Sequence, residues 1–276
     1  MIVDAHVHVW EPSSSRFAWQ PLGDLRPAVP WSAEDQCAAM EEVGIDRGVL
    51  IQTSWYGYNN DYLLDVVQRF PGRFALVGMV DPSAADVDAQ VQKLVARGIS
   101  GFRLMPRLRT DIDWFHPRLW EAADAMGLVM TLLVSPDQAV AAAETIERYP
   151  HVQVVIDHLA RPDQEVTPGQ PLFRQLLAMA RYPNLYLKVS ALAAISRQPY
   201  PHLDAQQWLQ QALAAYGAER LMWGSDSAMS RERCSLSDEL AVARQALAEA
   251  TPAERAWVLG GTAARLWNFA STPERR

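Results

Sequence analysis

Short apolar runs alternate with helix-like segments along the whole chain, and this alternation constrains the fold more than any other feature. The apolar runs are rich in β-branched residues and begin near residues 1, 47, 74, 98, 128, 152, 185 and 220. Near-continuous hydrophobicity is typical of parallel strands that are covered on both faces. Eight strand–helix units in about 230 residues favour a closed barrel. The sequence therefore predicts an α/β fold, a (β/α)8 TIM barrel forming a single domain over residues 1–276, with closing helices at its carboxyl terminus.

The structural alternative is an open, doubly wound sheet. Such a sheet usually carries a glycine-rich phosphate-binding turn after its first strand, but the corresponding stretch here, HVHVWEPSSS, contains no glycine. The loops that follow the predicted strands are long at residues 10–31, 106–116, 159–170 and 191–203, whereas the loops that lead into strands are short. Because the loops after the strands of a barrel form its catalytic face, this asymmetry indicates an enzyme.

Composition excludes several classes of protein. The formal net charge of the 276 residues is −7, and no run of lysine or arginine is present, so we expect no nucleic-acid partner. The two cysteines, Cys37 and Cys234, do not suggest a disulfide framework, and the amino terminus does not resemble a signal peptide. No window is apolar over the roughly 18 residues of a membrane span. We therefore expect a cytoplasmic protein with no membrane partner.

Polar residues fall at the carboxyl ends of the predicted strands. The two-residue repeat of a strand places Asp4, His6 and His8 of strand one on one face. A lone histidine at a strand end is more often a structural hydrogen bonder, so the interpretation depends on several such residues meeting at one mouth. The candidate catalytic residues that should meet there are His6, His8, His158 and Asp226. Asp4 and Asp157 are expected to be structural.

Cations and hydrogen-bonding side chains on the same face indicate a polar substrate. Arg103 and Lys188 fall at inward-facing positions of strands four and seven, and arginine suits bidentate binding of carboxylates. The candidate substrate-binding residues are Arg103, Lys188, Ser54, Gln52, Arg107 and Trp10. We expect the partner to be a small molecule that is anionic or polyhydroxylated. The roles of Arg107, Arg109 and His202, which lie on loops, stay open, as does the oligomeric state.

The ordered set of strand-end motifs resembles the amidohydrolase superfamily, and within it the amidohydrolase-2 branch. The motifs are DAHVHVW on strand one, DHLARP on strand six and GSD on strand eight. Segments on strands two, four and seven, LIQTSWYGYNNDYLLDVV, GISGFRL and LYLKVSAL, are also similar to that branch, so the resemblance spans nearly the whole chain. It implies a hydrolase in which Asp226 is the general base on water. The branch contains pyrone-dicarboxylate hydrolases and sugar-acid lactonases, which implies a cyclic ester as substrate.

The resemblance leaves the metal content and one further activity open. Binuclear members of the superfamily have a bridging lysine or glutamate at strand four or five, which is not found here, so a two-metal site is not expected. One divalent metal, zinc before others, could be held by His6, His8, His158 and Asp226, whereas the likeness to pyrone hydrolases implies none. The alternatives to a lactonase are a zinc-dependent decarboxylase and an inactive barrel that serves as a binding protein.

Overall fold

Parallel strands paired in sequence order form a barrel in the computed structural model, which describes residues 1–27, 29–167, 169–231 and 233–269. Residues 270–276 of the predicted domain lie outside the described residues. The eight strands within the described part are β1 Val3–Val7, β2 Arg47–Ile51, β3 Phe74–Gly78, β4 Gly101–Leu104, β5 Val129–Leu132, β6 Gln153–Ile156, β7 Leu185–Ser190 and β8 Leu221–Gly224. The predicted (β/α)8 barrel is confirmed, and the open-sheet alternative is wrong.

Helices cover the outside of the barrel between successive strands. Those in the described residues are α1 Ala33–Val43, α2 Asp61–Arg69, α3 Val87–Ala96, α4 Pro117–Met126, α5 Pro136–Ala141, α6 Ala143–Arg148, α7 Pro171–Ala178, α8 Leu192–Ile195, α9 Leu203–Tyr216, α10 Ser227–Ser230, α11 Leu236–Ala246, α12 Pro252–Ala256 and α13 Thr262–Leu266. Short 3-10 turns occupy Asp157–Ala160, Pro162–Gln164, Met179–Arg181 and Ala218–Arg220, and a π-helical turn occupies Trp257–Gly261. Within the described residues, we find no helix with the length and apolar character needed to cross a membrane.

The helix boundaries follow the capping residues of the sequence. The hydroxyl of Ser32 accepts the backbone N–H of Asp35 at 3.1 Å, and the Asp35 carboxylate accepts the N–H of Ser32 in return. Gly44 ends α1 with a φ of 76°, a left-handed conformation that glycine adopts without a Cβ clash. Such reciprocal caps satisfy the otherwise unpaired N–H groups at a helix start, so Ser32 and Asp35 determine where α1 begins.

The floor of the barrel is apolar, and the carboxyl-terminal helices close it. Side chains from the strands, most of them small or β-branched, form this layer with two residues from the carboxyl-terminal part of the chain: Val3, Ala5, Val49, Ile51, Val77, Val129, Val155, Tyr186, Met222, Ala263 and Trp267. Ala263 lies on α13, and Trp267 follows it with 6% of its surface exposed. The predicted closing helices therefore cover the barrel at the amino ends of the strands. The polar residues lie on the other side of this apolar layer, towards the carboxyl ends of the strands.

Strand β1 contains one extra residue where it approaches the polar end of the barrel. Asp4 pairs with Gly48 but Val7 pairs with Leu50, so three steps along β1 match two along β2. A bulge of this kind interrupts the two-residue alternation. The expectation that Asp4 shares one face with His6 and His8 is consequently wrong, because the Asp4 carboxylate turns to accept the backbone N–H of His6 at 3.1 Å.

Strands β1 and β8 approach closely where the barrel closes, and we call this joint the seam. The backbone N–H of Asp226, just after β8, donates to the carbonyl of His6 at 3.0 Å. A Cβ on Gly224 would lie 2.7 Å from the Cβ of His6, so a glycine is needed for this approach. The seam thus places the last residues of GSD directly beside the histidines of β1.

A buried glutamate links α8, which follows β7, to helix α11. Glu239 of α11 is fully buried and accepts the backbone N–H groups of Leu192 and Ala193 at 3.2 and 3.0 Å. Burial raises the pKa of Glu239 from 4.5 to about 8, although the bond from Ala193 opposes the shift.

This raised pKa predicts that stability falls with pH. Between about pH 4.5 and 8 the unfolded chain releases a proton that the folded chain keeps, so the free energy of unfolding decreases by up to about 1.4 kcal/mol per pH unit. The variant Glu239→Gln lacks this ionisation and should lose less stability between about pH 5 and pH 8 in urea unfolding. Glu42→Gln, at an exposed position of α1, is the control and should keep the wild-type slope. Equal slopes for all three proteins would contradict the prediction.

Candidate active site

Three histidines and an aspartate meet at the carboxyl ends of β1, β6 and β8. The Nε2 atoms of His6 and His8 are 3.1 Å apart, and His8 Nε2 lies 3.4 Å from Asp226 Oδ1. His158 Nε2 lies 4.0 Å from the other oxygen of Asp226. The structure therefore brings together the four residues that the strand-end pattern predicted.

Asp157 lies beneath this group, at the centre of a buried ion cluster. Its carboxylate is 3.0 Å from Lys188 Nζ, 3.4 Å from Arg103 Nε and 3.5 Å from His6 Nδ1. Burial opposes ionisation, but Lys188, His6 and Arg103 together hold the pKa of Asp157 well below its usual range. Asp157 is therefore a carboxylate that pairs both cations and contacts the back of the His6 ring.

Hydrogen bonds fix where His8 carries its proton. His8 Nδ1 lies 2.7 Å from the carbonyl of Ile51, which can only accept, so the N–H is at Nδ1. Burial, assisted by Arg103, lowers the pKa of His8 to about 3, so the ring is neutral. The Nε2 atom of His8 consequently presents a lone pair to Asp226 and His6, and it cannot donate a hydrogen bond.

The other two histidines are also neutral, since burial lowers the pKa of His158 to about 3 and that of His6 well below its usual range. His158 Nδ1 lies 2.9 Å from the hydroxyl of Ser190, and when that hydroxyl donates, His158 Nε2 carries the proton. His6 Nδ1 faces Asp157 at 3.5 Å and Lys188 at 3.4 Å. His6 Nε2 then either donates to His8 or presents a second lone pair beside it.

Asp226 has the properties of a base that works near neutral pH. Its side chain is 13% exposed, and its backbone has a φ of 53° at the start of α10. Burial raises the pKa of Asp226 to about 7, with Arg103 opposing and Asp157 reinforcing the shift. A carboxylate of this pKa is ionised to a useful degree at neutral pH and is basic enough to take a proton.

His158 and its successors form a left-handed turn without glycine. The φ angles of His158, Leu159, Ala160 and Arg161 are 53°, 53°, 56° and 60°. Residues with a Cβ lose roughly 1–2 kcal/mol each in this conformation. The turn closes through a 2.8 Å bond from the Arg161 N–H to the His158 carbonyl, and it places both side chains at one cavity. Such strained backbone clusters at functional sites.

The cavity above these residues has a volume of about 380 Å³ and is rich in cations. Its lining includes His8, His158 and Asp226 with the guanidinium groups of Arg103, Arg107, Arg161 and Arg233. Within the described lining, Asp226 is the only carboxylate. Thr53, Ser54 and Trp55 form the wall at the end of β2, and Leu25, Leu108 and Met229 are apolar residues at the rim. Sequence reasoning missed Arg161 and Arg233 as lining residues, although Arg161 stands in DHLARP.

Three predicted substrate-binding residues do not line this cavity. Lys188 is fully buried and is paired with Asp157, below His6. The amide of Gln52 is used by the chain, since its Nε2 donates to the carbonyl of Asn59 at 2.8 Å. Trp10 donates to the carbonyl of Val29 and packs edge-on against Trp55, which lines the cavity whereas Trp10 does not.

The residues whose roles were open divide between the cavity and the surface. Arg107 is half-buried in the lining, and within the described part of the chain it forms no ion pair. Arg109 binds Asp111 at the surface through two hydrogen bonds of 2.7 and 2.6 Å. His202 lines a neighbouring cavity, which adjoins the first through Arg233.

The donor atoms fit one divalent metal. One ligand atom each from His6, His8 and Asp226 lie within 4.8 Å of one another, and neutral imidazoles with a carboxylate are ligands that zinc takes. His6, Asp157 and His158 form a second group of the same dimensions. The first group fits better, because Lys188 and Arg103 already compensate the charge of Asp157.

Comparisons with known proteins agree with this geometry. A family model described as Amidohydrolase matches residues 3–269. L-fucono-1,5-lactonase from Burkholderia ambifaria is 31% identical over 235 residues, which cover 83% of this chain and 81% of that protein. 4-Sulfomuconolactone hydrolase from Rhizobium radiobacter is 27% identical, over 81% of this chain and 74% of that protein. The crystal structure of a putative 2-pyrone-4,6-dicarboxylic acid hydrolase from Pseudomonas putida has a TM-score of 0.84 and 27% identity, covering 98% of each chain.

More distant structures show the fold alone. An amidohydrolase from Burkholderia multivorans, solved with bound zinc, has a TM-score of 0.84 at 21% identity, and it covers 98% of this chain and 100% of that one. The 5-carboxyvanillate decarboxylase from Sphingomonas paucimobilis has a TM-score of 0.62 at 18% identity, with 86% of this chain and 83% of that one covered. Structural similarity is therefore lower for this decarboxylase than for the hydrolase from Pseudomonas putida.

The seam predicts a steric requirement at Gly224. In Gly224→Ala the new methyl would lie 2.7 Å from the Cβ and 2.8 Å from the backbone N of His6, so β1 must shift. We expect a loss of about 1–3 kcal/mol in urea unfolding, as for other overpacked sites. Gly23→Ala is the matched control, because a Cβ there has no neighbour within 4 Å. A Gly224→Ala protein as stable as this control would refute the steric account.

Proposed function

The chain belongs to the amidohydrolase family, whose model spans residues 3–269, and on that premise we propose that it hydrolyses the ester bond of a lactone with Asp226 as general base. The observation that carries this proposal is the position of Asp226, 3.4 Å from His8 and at the floor of a cation-rich cavity. The relatives described above include hydrolases of two different lactones, a sugar-acid lactone and a sulfomuconolactone. We propose a sugar-acid lactone or a pyrone carboxylate as the substrate.

Asp226 acts on the attacking water. Its carboxylate takes one proton from the water while the water oxygen forms a bond to the lactone carbonyl carbon. The resulting tetrahedral intermediate collapses when the ring C–O bond breaks, and the proton held by Asp226 passes to the departing ring oxygen. One water and one lactone thus give one hydroxy acid, and the base returns to its ionised form.

The positions of the ring protons give the three histidines different roles. His158 is the direct donor to the developing oxyanion, since its Nε2 carries the proton when Ser190 donates to Nδ1. His8 cannot play that part, because its only N–H is given to Ile51. Its Nε2 lone pair instead accepts from the water or binds a cation. His6 is held from behind by Asp157, which keeps its Nε2 directed at His8.

A divalent metal is compatible with the same residues. His6, His8 and Asp226 would hold it, since their donor atoms lie within 4.8 Å of one another. When bound, such a metal acts as a Lewis acid and lowers the pKa of a bound water.

The cavity suits an anionic or polyhydroxylated lactone. Arg107 is a half-buried cation in the lining that has no ion-pair partner within the described residues. Arg103 retains spare donors after binding the carbonyl of Gln52 through Nη1. The hydroxyls of Thr53 and Ser54, which line the cavity at the end of β2, suit the hydroxyl groups of a sugar acid.

Replacement of the base tests the proposal. Asp226→Asn should lower kcat on a panel of sugar-acid lactones and pyrone carboxylates by about 100- to 10,000-fold, since loss of a general base has effects of that size. The assay follows the hydroxy acid formed and also any CO2 released, which would identify a decarboxylase. Asp111→Asn, at an exposed loop position, is the control. Retention of activity within tenfold in Asp226→Asn would exclude the role of Asp226.

Replacement of Arg107 tests the charge of the substrate. Arg107→Gln should raise KM for a carboxylated lactone by about 10- to 100-fold, since hydrogen bonds to charged groups contribute roughly 1.5–3 kcal/mol. KM for a neutral lactone should change much less. Arg109→Gln removes a cation that is already paired with Asp111, and it is the matched control. An equal rise in KM for both lactones would argue against anion recognition.

A further inference from the structure

Asp4 is a fully buried carboxylate that the proposed hydrolysis does not use. Its Oδ1 atom accepts the backbone N–H of Ser225 at 2.8 Å and that of His6 at 3.1 Å. Its Oδ2 atom accepts the hydroxyl of Ser225 at 2.5 Å. The first residue lies after β8 and the second on β1, so one side chain joins both sides of the seam.

This network includes the residues on both sides of Asp226. The hydroxyl of Ser225 also accepts the N–H of Ser227 at 3.1 Å, so the residues before and after Asp226 belong to one network. The N–H of Asp226 itself donates to the carbonyl of His6. Asp226 has a left-handed φ of 53°, a conformation that is less favourable for a residue with a Cβ than the right-handed one, and the network contacts the residues on both sides of it.

The network calls for a carboxylate. Asp4 receives three donors, and an ionised carboxylate is the side chain that accepts on both oxygens without offering a hydrogen. An asparagine would turn an NH2 group towards Ser225, which must then reverse its hydroxyl. Asp4 is absent from the described lining of the cavity, so it does not contact the substrate.

We propose that Asp4, through Ser225, is a positioning residue that sets the distance and orientation of Asp226 relative to His6 and His8. The inference rests on the proposed function, because it assigns Asp4 to the base named there. If Asp226 is displaced by a fraction of an ångström, the enzyme still binds its substrate but proton transfer to Asp226 is slower. The displacement therefore lowers kcat.

The test compares Asp4→Asn and Ser225→Ala with Asp46→Asn. Asp46 also accepts a backbone N–H, that of Ile2 at 2.8 Å, but Ile2 lies just before β1, at the end of the strand away from the site. We expect the first two variants to lower kcat by about 10- to 100-fold with KM changed less than about twofold, and the control to be unaffected. Should Asp4→Asn not fold, Ser225→Ala keeps both backbone bonds to Asp4 and removes only the hydroxyl.

Combination with Asp226→Asn separates positioning from general damage. If Asp4 acts through Asp226, Asp4→Asn should cost nothing further in the Asp226→Asn background. The same fold loss in both backgrounds would overturn the inference, as would a kcat within threefold of wild type for both single variants. An active Asp226→Asn protein would instead refute the proposed function, and the inference with it.

Discussion

The ion cluster around Asp157 is the interaction on which the rest of the polar end of the barrel depends. Burying a cation costs several kcal/mol unless a partner compensates it, and here one carboxylate faces both Lys188 and Arg103. The pair of cations in turn disfavours protonation of His6 and His158. Without Asp157, the charges of Lys188 and Arg103 would lie unpaired beneath the histidines.

The three neutral histidines differ in the partner at the second ring nitrogen, and this gives them different hydrogen-bonding abilities. His8 is an acceptor because the Ile51 carbonyl takes its N–H, whereas His158 can donate because Ser190 lies at its other nitrogen. A sequence shows three histidines, but the second partner of each ring decides which part it plays. The family to which the chain belongs supplies the chemistry of hydrolysis, and these partners assign the roles.

Much of the architecture could be predicted, because the periodicity of apolar runs reports directly on strands and helices. The meeting of His6, His158 and Asp226 followed from the geometry of a barrel, in which all strands end at one mouth. The bulge in β1 was not predictable, since no glycine or proline marks it. Lys188 was misplaced for a related reason: alternation shows that a side chain points inward but not how deep it lies, and two residues along a strand change that depth by about 6–7 Å.

In the left-handed turn after β6, relief of backbone strain favours glycine, whereas packing in the core favours larger side chains. At Ala160, which is buried and has a φ of 56°, glycine would relieve backbone strain at the loss of a single methyl group. Leu159 has the same backbone but a large side chain in the core, so the same exchange there would open a void. Selection of substitutions for stability alone would therefore favour a glycine at Ala160, and this would make the segment that carries His158 and Arg161 more flexible. This turn is where a thermostabilised version of the protein is expected to diverge from an active one.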